Sequence, residues 1–290
     1  MVVAIENMTS NIFAVVFGLA SAISWGAGDF SGGMASRKSR ASLVVWLSQL
    51  VGGGLLLLLA LAFGESLPIP RDLFLGAAAG LAGVVGLALL YRGLATGQMG
   101  LVAPLTAVIS ASLPVFVSAV TEGVPPAAKL IGFGFGLLAV WFLSRPETGG
   151  QWQLANLWLP FASGTAFALF FVLIDQVTTG AVFWPLVAAR VASVTALLAV
   201  LWLRGRGKRM MWPNGRLLPL IALSGIFDAG GNAFFVLAAQ SGRLDIAAVL
   251  SSLYPATTVL LAWLVAHERL RPVQWLGVAA AVVALLLIAL

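Results

Sequence analysis

The chain has 290 residues, of which 61% are hydrophobic and only 9% charged, and its mean hydropathy is +1.04. A soluble domain carries about a quarter charged residues, so this chain cannot cover a water-facing surface and takes lipid as its solvent. The net charge of +6 does not mark a nucleic-acid binder, because the basic residues sit in short breaks between apolar runs and form no aromatic-interleaved face.

A spanning helix needs about 20 mostly apolar residues, and the breaks in the sequence define ten such runs. The first, residues 11–35, follows ten residues without Lys or Arg and contains no small-residue cleavage site, so it reads as a retained span and not as a signal peptide. Residues 42–63, 73–96, 101–120 and 127–144 follow, and the polar stretch 145–156 is the natural linker. The second half gives 157–177, 182–203, 217–240, 246–266 and 272–290. The expected fold is therefore an all-α integral membrane protein with ten transmembrane helices. Five crossings leave the chain on the opposite side, so two similar halves, residues 1–144 and 157–290, form an inverted repeat. That architecture permits alternating access.

The halves are similar. The run Ala95-Thr96-Gly97-Gln98-Met99-Gly100-Leu101-Val102-Ala103 returns loosely as Gln240-Ser241-Gly242-Arg243-Leu244-Asp245-Ile246-Ala247-Ala248. Gly97 pairs with Gly242 and Gly132 with Gly277 at one common offset, half the chain length. Glu122 and Glu268, each followed closely by a proline, close the fourth and ninth runs. More weakly, Ala20-Ser21 with Trp25 matches Ala162-Ser163 with Phe167, and Gly80 aligns with Gly225.

These residues, together with Ala22-Ile23-Ser24-Trp25-Gly26 and Pro126 and Pro272 ahead of Gly132 and Gly277, resemble the drug/metabolite transporter superfamily in its ten-helix EamA-type branch. The resemblance implies two EamA repeats in a multi-pass protein of a bacterial inner (plasma) membrane that exports small metabolites such as amino acids. It also implies a central cavity lined mainly by the first, third, fourth, sixth, eighth and ninth helices. Glu122 is followed by Gly-Val-Pro-Pro and Glu268 by Arg-Leu-Arg-Pro, so the family's pattern fits the second copy better.

Candidate site residues come from depth. An ionisable group inside the membrane is costly unless paired or hydrated, and so marks function by default. Asp228 lies mid-span with Ser224 and Asn232 at spacings of four, one helical face. This stripe either borders a cavity or packs against the seventh helix with Asp228 paired to Arg190. Arg190 is too deep to snorkel and needs a carboxylate, from Asp228 or from a substrate. Asp29 shares a face with Ser21 and Trp25, with Trp25 as an aromatic wall and Asp29 as a cation or proton site, or else facing the membrane surface. Asp29 and Asp228 are thus the candidates for proton coupling. Asp175, Glu122, Glu268 and His267 read as interfacial. Tyr91, Tyr254 and Ser251, with Pro255 beside Tyr254, complete the expected substrate-binding set.

No cysteine is present and His267 is the only histidine, so neither thiolate nor multi-His metal sites are expected. No Gly-x-x-x-x-Gly-Lys followed by Ser or Thr occurs, so no nucleotide is expected, and no residue pattern calls for another cofactor. Alternating the breaks between sides puts Arg71, Lys129 and Arg243 on one side and every other basic residue except Arg190 on the other. The positive-inside rule then places both termini outside, whereas the resemblance implies cytoplasmic termini.

The leading expectation is a secondary transporter of small amphipathic solutes whose partners are the lipid bilayer, the solute and, for a coupled mechanism, protons. A passive channel or facilitator is one alternative. An intramembrane lipid-processing enzyme is the other, and His-Glu-x-x-His, Gly-x-Ser-x-Gly and clustered carboxylates are all missing. The symmetry is internal, and a monomer is compatible with it.

Overall fold

The computed structural model describes residues 2–95, 99–143, 158–178, 180–205, 212–265 and 272–289. The linker 145–156, His267 and Glu268 lie outside the described residues.

The apolar runs fold as helices, since only a helix satisfies its own backbone groups in lipid. They are α1 (Val2–Ser36), α2 (Ala41–Ala62), α3 (Pro70–Ala95), α4 (Met99–Thr121), α5 (Ala127–Leu143), α6 (Trp158–Asp175), α7 (Phe183–Gly205), α8 (Leu218–Ser241), α9 (Leu244–Ser251), α10 (Tyr254–Val265) and α11 (Pro272–Ala289). Seven stretches are long and apolar enough to cross a bilayer: Ile12–Ser36, Ala41–Ala62, Pro70–Leu90, Trp158–Asp175, Phe183–Leu203, Gly215–Ser241 and Leu244–Val265. Thr106–Thr121, Ala127–Phe142 and Pro272–Ala284 are apolar but shorter over the described residues.

One expected helix is two. The run 246–266 breaks between Ser251 and Tyr254, where the backbone N–H of Leu253 and that of Ala256 bond the carbonyls of Leu250 and Leu253 at 3.2 and 2.9 Å. Pro255 has no N–H to carry the helical ladder through this point, and α10 starts afresh at Tyr254.

The packing follows an exchange rule. α1 packs on α8 as α6 packs on α3; α2 packs on α8 as α7 packs on α3; α4 packs on α6 as α1 packs on α9 and α10; α5 pairs with α11. Close approach at two of these crossings depends on glycine. A Cβ at Gly80 would strike the backbone of Ala189 on α7, and one at Gly225 would strike the backbone of Ser48 on α2. Small residues let helix backbones touch in a membrane, where burial of apolar surface supplies no drive between helices.

The exterior is apolar: Leu58, Leu61, Phe116, Phe161, Trp202 and Leu264 are each more than half exposed. The interior combines an aromatic and aliphatic core around Phe170, Phe171, Phe235 and Leu56 with buried polar groups, among them Ser21, Gln49, Arg190 and Asn232. This inversion of the usual pattern is what lipid as solvent requires.

Candidate functional site

Inside the bundle lies a cavity of about 700 Å³ of empty space, its open mouth included. Its lining draws on both halves of the chain. Trp25 and Asp29 come from α1, Gln49 from α2, Ser110 from α4, Arg190 from α7, Asp228 and Asn232 from α8 and Tyr254 from α10. The wall between them is apolar and aromatic, built by Gly80, Gly83, Val84, Leu87 and Leu90 of α3, Phe167, Phe170 and Phe171 of α6, and Ala189 of α7.

The polar centre is a three-helix knot. Arg190 Nη1 meets Asp228 Oδ2 at 2.8 Å, and the same nitrogen donates to Gln49 Oε1. Gln49 Nε2 donates to Asp228 Oδ2 at 3.0 Å, and Ser193 Oγ donates to Gln49 Oε1, also at 3.0 Å. Gln49 is 4% exposed and Arg190 6% exposed, so the pair is withdrawn from solvent and every contact counts. Only one guanidinium nitrogen is used: Nε and Nη2 are buried without a hydrogen-bond partner. The expected Arg190–Asp228 pair therefore forms, yet it does not consume the arginine.

Trp25 supplies the aromatic wall. Its indole N–H donates to Asn232 Oδ1 at 3.0 Å, and its ring stacks on Phe171 and Phe235 at centroid distances of 5.6 and 5.8 Å. Of the stripe Ser224–Asp228–Asn232, Asp228 and Asn232 reach the cavity, Asp228 held by Gln49 of α2 and Arg190 of α7 and Asn232 by Trp25 of α1, while Ser224 is buried. Asp29 also lines the cavity and makes no hydrogen bond or ion pair among the described residues. Asp228 and Tyr254 lie within its electrostatic reach. The Tyr254 hydroxyl is buried and unpartnered.

One expected residue stands elsewhere. Ser251 is fully buried and outside the cavity lining, its hydroxyl 3.4 Å from the carbonyl of Gly18. In a continuous helix Ser251 and Tyr254 would share a face, but the break at Ser252 and Leu253 separates them. Tyr91 belongs to α3, and its side chain lies outside the described residues. Sequence reading passed over Gln49 and Ser193. Gln49 left one signal, a lone amide in the middle of an apolar span.

One end of the bundle is tied together by hydrogen bonds. Arg243, between α8 and α9, donates to the Asp245 carboxylate from Nε and Nη2, with a closest approach of 2.8 Å. It also donates to the Glu122 carbonyl, Ser118 Oγ and the Gly123 carbonyl at 3.3, 3.2 and 2.9 Å. The Asp245 hydrogen bonds lead the causes that hold this guanidinium above its ordinary pKa, with burial opposing them. Beside this knot, the Glu65 carboxylate accepts from the backbone N–H groups of Val182, Phe183 and Trp184 and so caps α7. Gln240 bridges to Gly180 and Ala181. Asp175 ends α6 at the same level, half-buried and bonded by Gln176.

The class these features define is a multi-pass α-helical membrane protein with an interior cavity, mostly apolar around a buried polar centre. Residues 153–290 match the model of the EamA-like transporter family, so the second half of the chain is EamA-like and the resemblance drawn from the sequence holds there on independent grounds. Among solved structures, a crystal structure of a protein 19% identical to this chain superposes with a TM-score of 0.74, covering 96% of this chain and 98% of that one. At that identity the likeness speaks for the fold alone. No curated protein matches the chain.

Proposed function

We propose that the protein is a secondary transporter that exports small amphipathic metabolites, amino acids or related compounds, by alternating access across a bacterial inner membrane. In this reading the helices make ten crossings, with α9 and α10 forming one broken span. Residues 1–144 and 157–290 are the two inverted repeats. The exchange of packing partners between α1–α5 and α6–α11 supports the repeat. So does a duplicated contact: Ser21 on α1 donates to the Gly231 carbonyl on α8 at 2.9 Å, and Ser163 on α6 donates to the Gly86 carbonyl on α3 at 2.8 Å. Trp25 then covers Gly231 as Phe167 covers Gly86.

The observation that carries the function is the cavity itself, lined from both halves, mostly apolar and aromatic, with one Arg–Asp pair. Ligand sites at the interface of repeats, bounded by broken helices, are what such transporters use. The walls favour a solute with an apolar body, and a single basic residue among the described residues of the lining disfavours multiply charged phosphates. Asp29 is the candidate proton carrier, since it lines the cavity and has no fixed partner among the described residues.

The test is uptake of labelled aromatic and aliphatic amino acids, nucleosides and organic cations into proteoliposomes, with and without a pH gradient. Saturable flux is expected, with Asp29→Asn losing the response to the gradient. Flux proportional to concentration without saturation supports a channel instead, and flux of no solute removes the carrier reading.

A further inference from the structure

We infer that the free edge of Arg190 is the receptor for a carboxylate on the transported solute. The inference rests on the transporter reading above and adds the substrate's chemical class and the residue that selects it.

A guanidinium offers five N–H donors in a rigid planar fork. In Arg190 the contacts to Asp228 and Gln49 all converge on Nη1. Nε and Nη2 are buried and bond nothing. An unmet buried donor is costly, more so on a charged group, and native interiors leave few of them. The arginine of the tied end shows the contrast, since Nε, Nη1 and Nη2 of Arg243 are all bonded.

The geometry of the vacant donors points to the ligand. Nε–H and one N–H of Nη2 lie parallel within the guanidinium plane along one edge, the spacing that two carboxylate oxygens accept together. Asp228 and Gln49 hold the opposite side of the group, and Asp228 already offsets its charge, so the arginine is both fixed and electrically matched before any ligand arrives. Arg190 lines the cavity beside Trp25, Phe167, Phe170 and Phe171, which suit an apolar or aromatic body attached to that carboxylate. Among the described residues Arg190 is the only basic one in the lining, and its free edge offers two donors, the number that one carboxylate accepts.

The experiment is binding to the purified full chain in detergent, by calorimetry and by thermal stabilisation. The four probes are L-phenylalanine, 3-phenylpropionate, 3-phenylpropionamide and phenethylamine. At least one carboxylate is expected to bind, with the amide and the amine weaker by at least about 30-fold, which is about 2 kcal/mol. Comparing phenylalanine with phenylpropionate tells a zwitterion from a simple anion. Arg190→Lys keeps the charge and removes the fork, and is expected to erase the preference for the acid over the amide. The native series stands without it should the variant fail to fold. Equal binding of acid and amide overturns the inference and leaves the carrier reading intact, as does failure of both carboxylates to bind at millimolar concentration. Carboxylate binding that depends on Arg190, without flux in proteoliposomes, upholds Arg190 as a carboxylate receptor and removes the carrier reading.

Discussion

Two Arg–Asp pairs in this chain have the same closest nitrogen–oxygen distance, 2.8 Å, and differ in everything around it. At the tied end, Arg243 spends all three nitrogens on Asp245, Ser118 and the carbonyls of Glu122 and Gly123, joining the end of α4 to the start of α9. At the cavity, Arg190 spends one nitrogen and leaves two buried without partners. Distance alone would rank the pairs as equals. Satisfaction separates them: a fully engaged arginine is an anchor, and a half-engaged one beside a cavity keeps donors that a ligand could use.

The comparison predicts unequal responses to substitution. The largest effect on stability belongs to Arg243→Met, which leaves the fully buried Asp245 carboxylate without its counter-charge. Stripping one member from such a pair costs about 3–5 kcal/mol, read as a loss of unfolding free energy in mixed micelles. A second anchor at that end gives less. Glu65→Gln removes the charge that three N–H groups at the start of α7 share, and about 1 kcal/mol is expected by the same measurement. The smallest change in stability belongs to the cavity pair replaced as a unit. Arg190→Met with Asp228→Leu should stay within about 1 kcal/mol of the native protein, because an apolar exchange of a buried ion pair is often neutral. Its solute flux should nevertheless vanish. A loss of several kcal/mol in that double variant, with flux retained, would reverse the roles assigned to the two pairs.

Much of this was legible in the chain. Arg190 and Asp228 could be read from depth alone, because charge inside a membrane is expensive enough to need a reason. Ser21 with Trp25 and Ser163 with Phe167 were visible as a spacing, and in three dimensions they make matching hydrogen bonds and cover matching glycines. Gly80 and Gly225 behave likewise at the α3–α7 and α2–α8 crossings. What escaped was non-local. Gln49 is one amide in an apolar run, and nothing along α2 reveals that its partners sit on α7 and α8. Arg243 resembled a loop charge useful for counting sides, because its acceptors on α4 are distant in sequence. Ser251 fell on the wrong side of a break whose cause, Pro255, was plain while its effect on direction was not.

The interleaving of the halves has a consequence for how the chain is made. Ser21 finds its acceptor on α8 and Gln49 its partners on α7 and α8, so neither is settled by anything within the first five helices. Until α7 and α8 have been made, Ser21 and Gln49 lack these partners. Among the described residues, the first half leaves these two polar groups for the second half to satisfy. A chain cut after α5 is therefore expected to be held by the insertase and cleared by membrane proteases.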